Sequence, residues 1–183
     1  MRKFLLLWLL VFSQPLCSEA SLKKGLFAGS FNPPTKGHLD LIERASSMCD
    51  VLYVVVAFNT HKASVPFSIE ERVSFLKDIT RTVSNVKILS WDGLLVDFAS
   101  ENDIHFFIRG LRNGVDLEYE RSFAVANGEM SNLDTIFLLS SPRYAHLSSS
   151  LVREVGRFGR SLERMVPEEI EGVILERLSE GKS

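Results

Sequence analysis

The run Gly29-Ser30-Phe31-Asn32-Pro33-Pro34-Thr35-Lys36-Gly37-His38 stands where an apolar strand stops and an amphipathic helix starts, and it constrains this chain more than any other segment. Gly25-Leu26-Phe27-Ala28 reads as the strand, and Leu39, Leu41, Ile42 and Ala45 recur at helical spacing behind it. A strand, a tight turn and a helix in that order belong at the carboxyl edge of a parallel sheet. The helix start offers free backbone N–H groups and a partial positive charge. Two glycines allow close backbone approach, two prolines stiffen the exit from the strand, and His38 falls in the first helical turn. A phosphate ester suits this arrangement. Glycine and proline are also ordinary residues for a strand-to-helix turn, and a lone histidine at a helix start can be a cap, so both readings stand at this point.

Past the turn the chain alternates strand and helix. Strands are expected at Val51–Ala57, Val86–Leu89, Ile104–Ile108 and Thr135–Leu139. Helices are expected over Ile69–Ile79, opened by the capping box Ser68-Ile69-Glu70-Glu71, near Leu95–Glu101, over Val115–Asn127, from Ser149 to about Phe158, and after Pro167. Five strands separated by helices predict an α/β fold, a Rossmann-like doubly wound five-stranded parallel sheet, with ligands over the carboxyl ends of the strands. With 183 residues and 45% hydrophobic content the chain can bury one sizeable core, so a single domain over 23–183 is expected. A formal charge of -2 argues against bulk binding to nucleic acid or an anionic membrane and points to small-molecule partners. Cys17 and Cys49 make no metal-ligand spacing, and a reducing compartment fits them.

Residues 1–22 are written differently. Arg2 and Lys3 precede the apolar run Phe4–Phe12, and Ser18-Glu19-Ala20 follows as a small-x-small pattern, which is the form of a secretory signal. The run is too short for a mature membrane span, and Leu16 before Cys17 poorly imitates a lipoprotein site. The other reading is a start near Leu22, immediately before the first strand. We adopt the second and treat 1–22 as lying outside the folded domain.

Later loops at the same sheet edge also carry polar residues. Asn59-Thr60-His61-Lys62-Ala63 places a lysine after the second strand, Arg109-Gly110-Leu111-Arg112 follows the fourth, and Ser140 to Ser150 follows the fifth. A solvated loop lysine and serine helix caps are the plain readings of two of these. A strand ending in Arg109 instead puts a guanidinium at the active edge, able to fork onto a phosphate.

The first run resembles the G-x-[ST]-F-[DN]-P-x-[TH]-x-G-H signature of the nucleotidyltransferase superfamily, which binds ATP or CTP in a Rossmann-like fold. GSFNPPTKGH, the loop lysine, RGLRNGVDLEYE and YAHLSSSLVREV, in that order, resemble the phosphopantetheine adenylyltransferases of coenzyme A synthesis from about Lys23 onward. The RGLR and EYE pair is the most specific part. Sister families acting on nicotinamide mononucleotide share the first motif, and an adenylyltransferase for that acceptor is the alternative.

The resemblance implies ATP and 4'-phosphopantetheine as partners, magnesium as cofactor, no dedicated metal ligands, a cytoplasmic location and a homo-hexamer. It implies that His38, Lys62 and Arg109 are catalytic, and that Ser30, Lys62, Leu95 and Arg109 hold the acceptor. It assigns ATP to Ser30, Phe31, His38, Gly110, Leu111, Arg112 and Glu120, with Tyr144, Ala145, His146, Leu147, Ser148, Ser149 and Ser150 closing over the nucleotide. Ser30 and Asn32 stand where Thr and Asp are commoner, and Tyr144 where Trp often stands. The segment Ala63–Val65 is one residue longer than in typical members.

Overall fold

The computed structural model describes residues 21–58 and 66–180. Strands β1 (Lys24–Gly29), β2 (Val51–Ala57), β3 (Val86–Trp91), β4 (Phe106–Leu111) and β5 (Asp134–Leu139) alternate with helices α1 (Lys36–Ser46), α2 (Ile69–Ile79), α3 (Leu95–Glu101) and α4 (Gly114–Ser131); α5 (Ser149–Arg157) and α6 (Glu168–Glu180) close the chain. All strand pairs are parallel, in the order β3-β2-β1-β4-β5. The chain runs outward from β1 through β2 to β3, then returns to the other side of β1 with β4. The order therefore reverses between β1 and β4, and a crevice opens beyond their carboxyl ends.

Both sheet faces are covered. Along β1, β2 and β4 the residues alternate between two cores, as the period of two requires. Phe27, Val54, Val56, Phe106 and Ile108 face one core with α1, α2, α5 and α6. Leu26, Ala28, Tyr53, Val55 and Phe107 face the other with α3. The Ser68 capping box on α2 forms as expected, with Glu71 N–H donating to Ser68 Oγ at 3.2 Å and Ser68 N–H to Glu71 Oε2 at 2.6 Å.

The third strand runs on to Trp91 and the fifth begins at Asp134, and two elements differ more from the sequence reading. The fourth strand is Phe106–Leu111 rather than Ile104–Ile108, because Ile104 N–H closes the end of α3 on Ala99 O while pairing with β5 draws the backbone into the sheet as far as Leu111. Arg109 thus sits inside the strand, not beyond it. Helix α4 is longer than Val115–Asn127, running to a left-handed Asn132 cap, and none of its residues is buried. No helix among the described residues is long and apolar enough to cross a membrane.

Candidate active site

The turn from β1 to α1 is held from outside by other elements. Ala28 O accepts from Arg109 Nη1 of β4 at 2.6 Å and Ser30 O from Arg72 Nη1 of α2 at 3.1 Å. Asn32 O accepts from Arg153 Nη1 at 2.6 Å and Pro33 O from Ser149 Oγ at 2.8 Å, both from α5. These four carbonyls are engaged away from a ligand, and the helix start that follows presents N–H groups, which favours an anion. Phe31 has a φ of 44°, a left-handed conformation that costs a non-glycine residue about 1–2 kcal/mol. Its buried ring, edge-on to Phe27 and His38 at centroid distances of 5.8 and 5.2 Å, offsets that cost.

Thr35 caps α1, with Oγ1 accepting from His38 N–H at 3.3 Å, and the Thr35 N–H donates to His38 Nδ1 at 2.9 Å. A nitrogen that accepts carries no proton, so neutral His38 holds its proton on Nε2. Burial, with the Arg112 charge nearby, lowers the His38 pKa from 6.5 to about 4. At neutral pH it is an uncharged N–H donor.

Two cavities of about 410 and 430 Å³ meet over the crevice and share Ala28, Gly29, Ser30, Arg109 and Tyr119. The first is the more polar, bounded by the turn, the β4 end and the start of α5. The second is more apolar, with Phe58, Leu94, Leu95, Phe107 and Phe123 in its wall. A polar and an apolar compartment joined at a hydroxyl and a guanidinium suit two substrates that meet through phosphates.

Of the residues singled out from sequence, Ser30, Phe31, His38, Arg109, Gly110, Arg112, Glu120, Tyr144, Leu147, Ser148, Ser149 and Ser150 all line the first cavity. Leu95 lines the second. Leu111 is buried in the sheet and lines neither cavity, nor do Ala145 and His146. Lys62 lies outside the described residues. Arg109 does not extend an open fork: Nε and Nη2 grip Glu120 at 2.6 and 2.8 Å, and Nη1 holds Ala28 O. Of its five N–H donors two remain for a ligand. Glu120 is thereby the orienting partner of Arg109. Arg112 is likewise paired, to Asp116 at 2.9 and 3.0 Å, and these hydrogen bonds hold the Asp116 carboxyl below the usual carboxylate range.

The serine run is partly structural. Ser148 caps α5, accepting from Leu151 N–H at 3.1 Å, Ser149 is bound to the turn, and Ser150 Oγ accepts from Arg153 Nη2 at 3.1 Å. Thr35, Asp116 and Arg153, which lie in the quoted motifs but have no role assigned from sequence, also line the first cavity, and Asn127 and Thr135, outside those motifs, the second. Arg153 had a signal, since it stands three residues after Ser150 on the same helix. Among the described residues no group of three or more His, Cys, Asp or Glu gathers in a metal-binding cluster.

A family model described as cytidylyltransferase-like matches residues 26–155, a span that contains every residue lining the two cavities. A phosphopantetheine adenylyltransferase from Clostridium perfringens is 42% identical over 159 residues, covering 86% of this chain and 96% of the relative. Relatives of the same description from Christiangramia forsetii and Corynebacterium diphtheriae are 45% identical over 147 residues and 38% identical over 157. They are covered to 97% and 99% of their lengths, and cover 80% and 86% of this chain. This chain belongs to the phosphopantetheine adenylyltransferase family. A solved structure described as a nicotinate-nucleotide adenylyltransferase from Vibrio parahaemolyticus superposes with a TM-score of 0.57 at 17% identity, covering 84% of this chain and 98% of that one. At that identity the likeness speaks for the fold alone. Within the phosphopantetheine adenylyltransferase family, the RGLR and EYE segments are here the source of the Arg109–Glu120 pair at the junction of the cavities.

Proposed function

We propose that this protein transfers the adenylyl group of ATP to 4'-phosphopantetheine, giving dephospho-coenzyme A and pyrophosphate. The observation that carries the proposal is the pair of cavities sharing Ser30 and Arg109. The polar one suits the nucleotide, with Tyr144 in its lining and the α5 start beside the triphosphate. The apolar one suits the pantetheine arm along Leu95. The acceptor's phosphate then reaches the junction, where Ser30 and the two remaining Arg109 donors receive it, and Lys62 is assigned to the same phosphate.

An oxygen of the acceptor's phosphate monoester attacks the α-phosphorus of ATP, the bond from that phosphorus to the bridging oxygen breaks, and its electron pair leaves on pyrophosphate. The attacking group is already anionic at neutral pH, so no general base is needed. Two anions must be aligned and their charge balanced; alignment alone is worth up to about 7 to 11 kcal/mol in favourable cases. Arg109, Lys62 and the α1 start supply the balance. His38 supplies a neutral Nε2–H to the transferred phosphoryl group. Magnesium, bound to the nucleotide, would supply counter-charge for its phosphates. The cavity carboxylates Asp116 and Glu120 are engaged by Arg112 and Arg109, so no step is routed through a protein-held ion.

We place the reaction in the cytoplasm, where ATP is supplied. A homo-hexamer is also proposed, and the 18-residue α4, which has no fully buried residue and exposes Val115, Leu117, Val125 and Met130, supports burial against other copies. The test of the activity is pyrophosphate release with ATP and magnesium, offering 4'-phosphopantetheine or nicotinamide mononucleotide. Release with phosphopantetheine alone is the expected result; release with the mononucleotide alone would overturn the acceptor assignment.

A further inference from the structure

Arg72, near the start of α2, is 6% exposed, and it is the one charged side chain buried this deeply among the described residues. Its Nε donates to Phe67 O and Ser68 O, both at 3.1 Å, and its Nη1 to Ser30 O at 3.1 Å. It forms no ion pair with any described carboxylate. The adjacent Glu71 is taken by Ser68 N–H at 2.6 Å and by Arg177 at 3.3 Å. Burying a guanidinium is costly, and although the charges of Glu70 and Glu71 oppose it, burial here pulls its pKa below the ordinary value. An apolar side chain would fill the same volume without that cost. What such a residue could not do is join two backbone segments 42 residues apart.

We propose that Arg72 is a positioning residue for adenylyl transfer, fixing the Ser30–Phe31 peptide at the junction of the two cavities. Arg72 lines neither cavity, so it acts through the turn and not on a ligand. The peptide group is planar, so a carbonyl drawn toward α2 turns the N–H of the same peptide the opposite way. Holding Ser30 O therefore aims the Phe31 N–H away from α2, on the side where Ser30 and Phe31 line the nucleotide cavity. Phe31 is also the residue with φ of 44°, a conformation that persists only under outside restraint. The remaining turn restraints come from β4 and α5, so Arg72 is the tie that fixes the turn from the α2 side.

This inference rests on the adenylyltransferase reading and deepens it. The test compares wild type, Arg72→Met and Arg72→Lys by steady-state kinetics with ATP and 4'-phosphopantetheine, and by thermal melting. A misplacement of about 1 Å can cost on the order of 100-fold in rate. The expected result is kcat lowered about 10- to 100-fold per folded molecule, with both KM values changed less than about threefold. Arg72→Lys should rescue only in part, since one ammonium on a flexible stem cannot span both segments. A purely structural role would lower the melting temperature and leave kcat intact, so folded Arg72→Met with kcat within about twofold of wild type overturns the proposal. Should Arg72→Met fail to fold, Arg72→Lys at wild-type kcat overturns it equally. A silent wild type overturns the reading of the site, and this inference with it; an active wild type with unaffected variants overturns this inference alone.

Discussion

Thr35 and His38 cap the same helix start in both directions, and their exchange of hydrogen bonds sets the tautomer of the histidine, which burial and the Arg112 charge keep neutral. The Thr35 N–H donates to Nδ1 at 2.9 Å while Thr35 Oγ1 accepts from the His38 N–H at 3.3 Å. Protonating Nδ1 would set a donor against a donor, break half of the capping box and place a cation near Arg112 in a partly buried site. The histidine is thus a fixed dipole.

Replacing His38 with Ala should lower kcat by about 100- to 1000-fold, the usual size for losing one preorganised donor at a developing negative charge, with small changes in KM. Because the group is neutral down to a pKa of about 4, the wild-type pH–rate profile should show no inflection from His38 between about pH 5.5 and 8. A kcat near normal in His38→Ala would remove the histidine from the mechanism. NMR titration of the imidazole nitrogens reads the charge state directly.

The same shift predicts acid sensitivity of the fold. A pKa of about 4 when folded against 6.5 unfolded means the unfolded chain binds the extra proton first. Stability from this group is full above about pH 6.5, declines as pH falls toward 4, and totals up to about 3 kcal/mol at about 1.36 kcal/mol per unit. Urea unfolding at pH 7 and pH 5 should show the loss in wild type and a smaller one in His38→Gln. Equal losses in both would mean other groups govern it.

The order of elements was legible in the sequence because each strand is a short apolar run and each helix carries periodicity or a start signal. The Ser68-Ile69-Glu70-Glu71 box is the clearest example. The cap at α1 was harder to read, since histidine takes the place that glutamate or glutamine usually fills. The fourth strand was misplaced because Ile104 and His105 are apolar-run neighbours whose N–H groups go to the α3 end and to Lys24 O, facts of pairing rather than of composition. The residues of the first turn and of the RGLR segment that the sequence points to line one cavity, Leu111 excepted, yet their hydrogen-bond partners are not legible in the sequence. Arg72 reaching Ser30 O and Arg153 reaching Asn32 O join residues 42 and 121 positions apart, and nothing local announces them.

Glu120→Gln should weaken the acceptor's binding without touching it directly. The carboxylate holds Arg109 through two hydrogen bonds, and an amide can accept only one of them. Arg109→Ala removes the guanidinium itself and should raise KM for phosphopantetheine more than it changes kcat. Glu120→Gln should move the same constant in the same direction by a smaller factor, about 3- to 10-fold. Kinetics with the acceptor varied at saturating ATP check both; an effect on the ATP constant alone would reassign the pair to the nucleotide.

Gly110 packs against Leu41 of α1, and a Cβ there would force the Leu41 Cδ1 methyl to move. Gly110 pairs with Leu138 of β5 on one side of the strand, so the backbone cannot simply withdraw, and α1 is pinned by its cap and by the Lys36 N–H to Met165 O bond at 2.9 Å. Gly110→Ala should therefore destabilise by about 1–3 kcal/mol, the usual cost of overpacking. Leu41→Ala alone opens a cavity and should cost about 2–5 kcal/mol. In the double variant the new methyl enters space that the leucine vacated, so its stability should equal or exceed that of Leu41→Ala. Urea unfolding of the four proteins gives the coupling energy, and strictly additive losses would show that the Leu41 contact is not what keeps a side chain out of position 110.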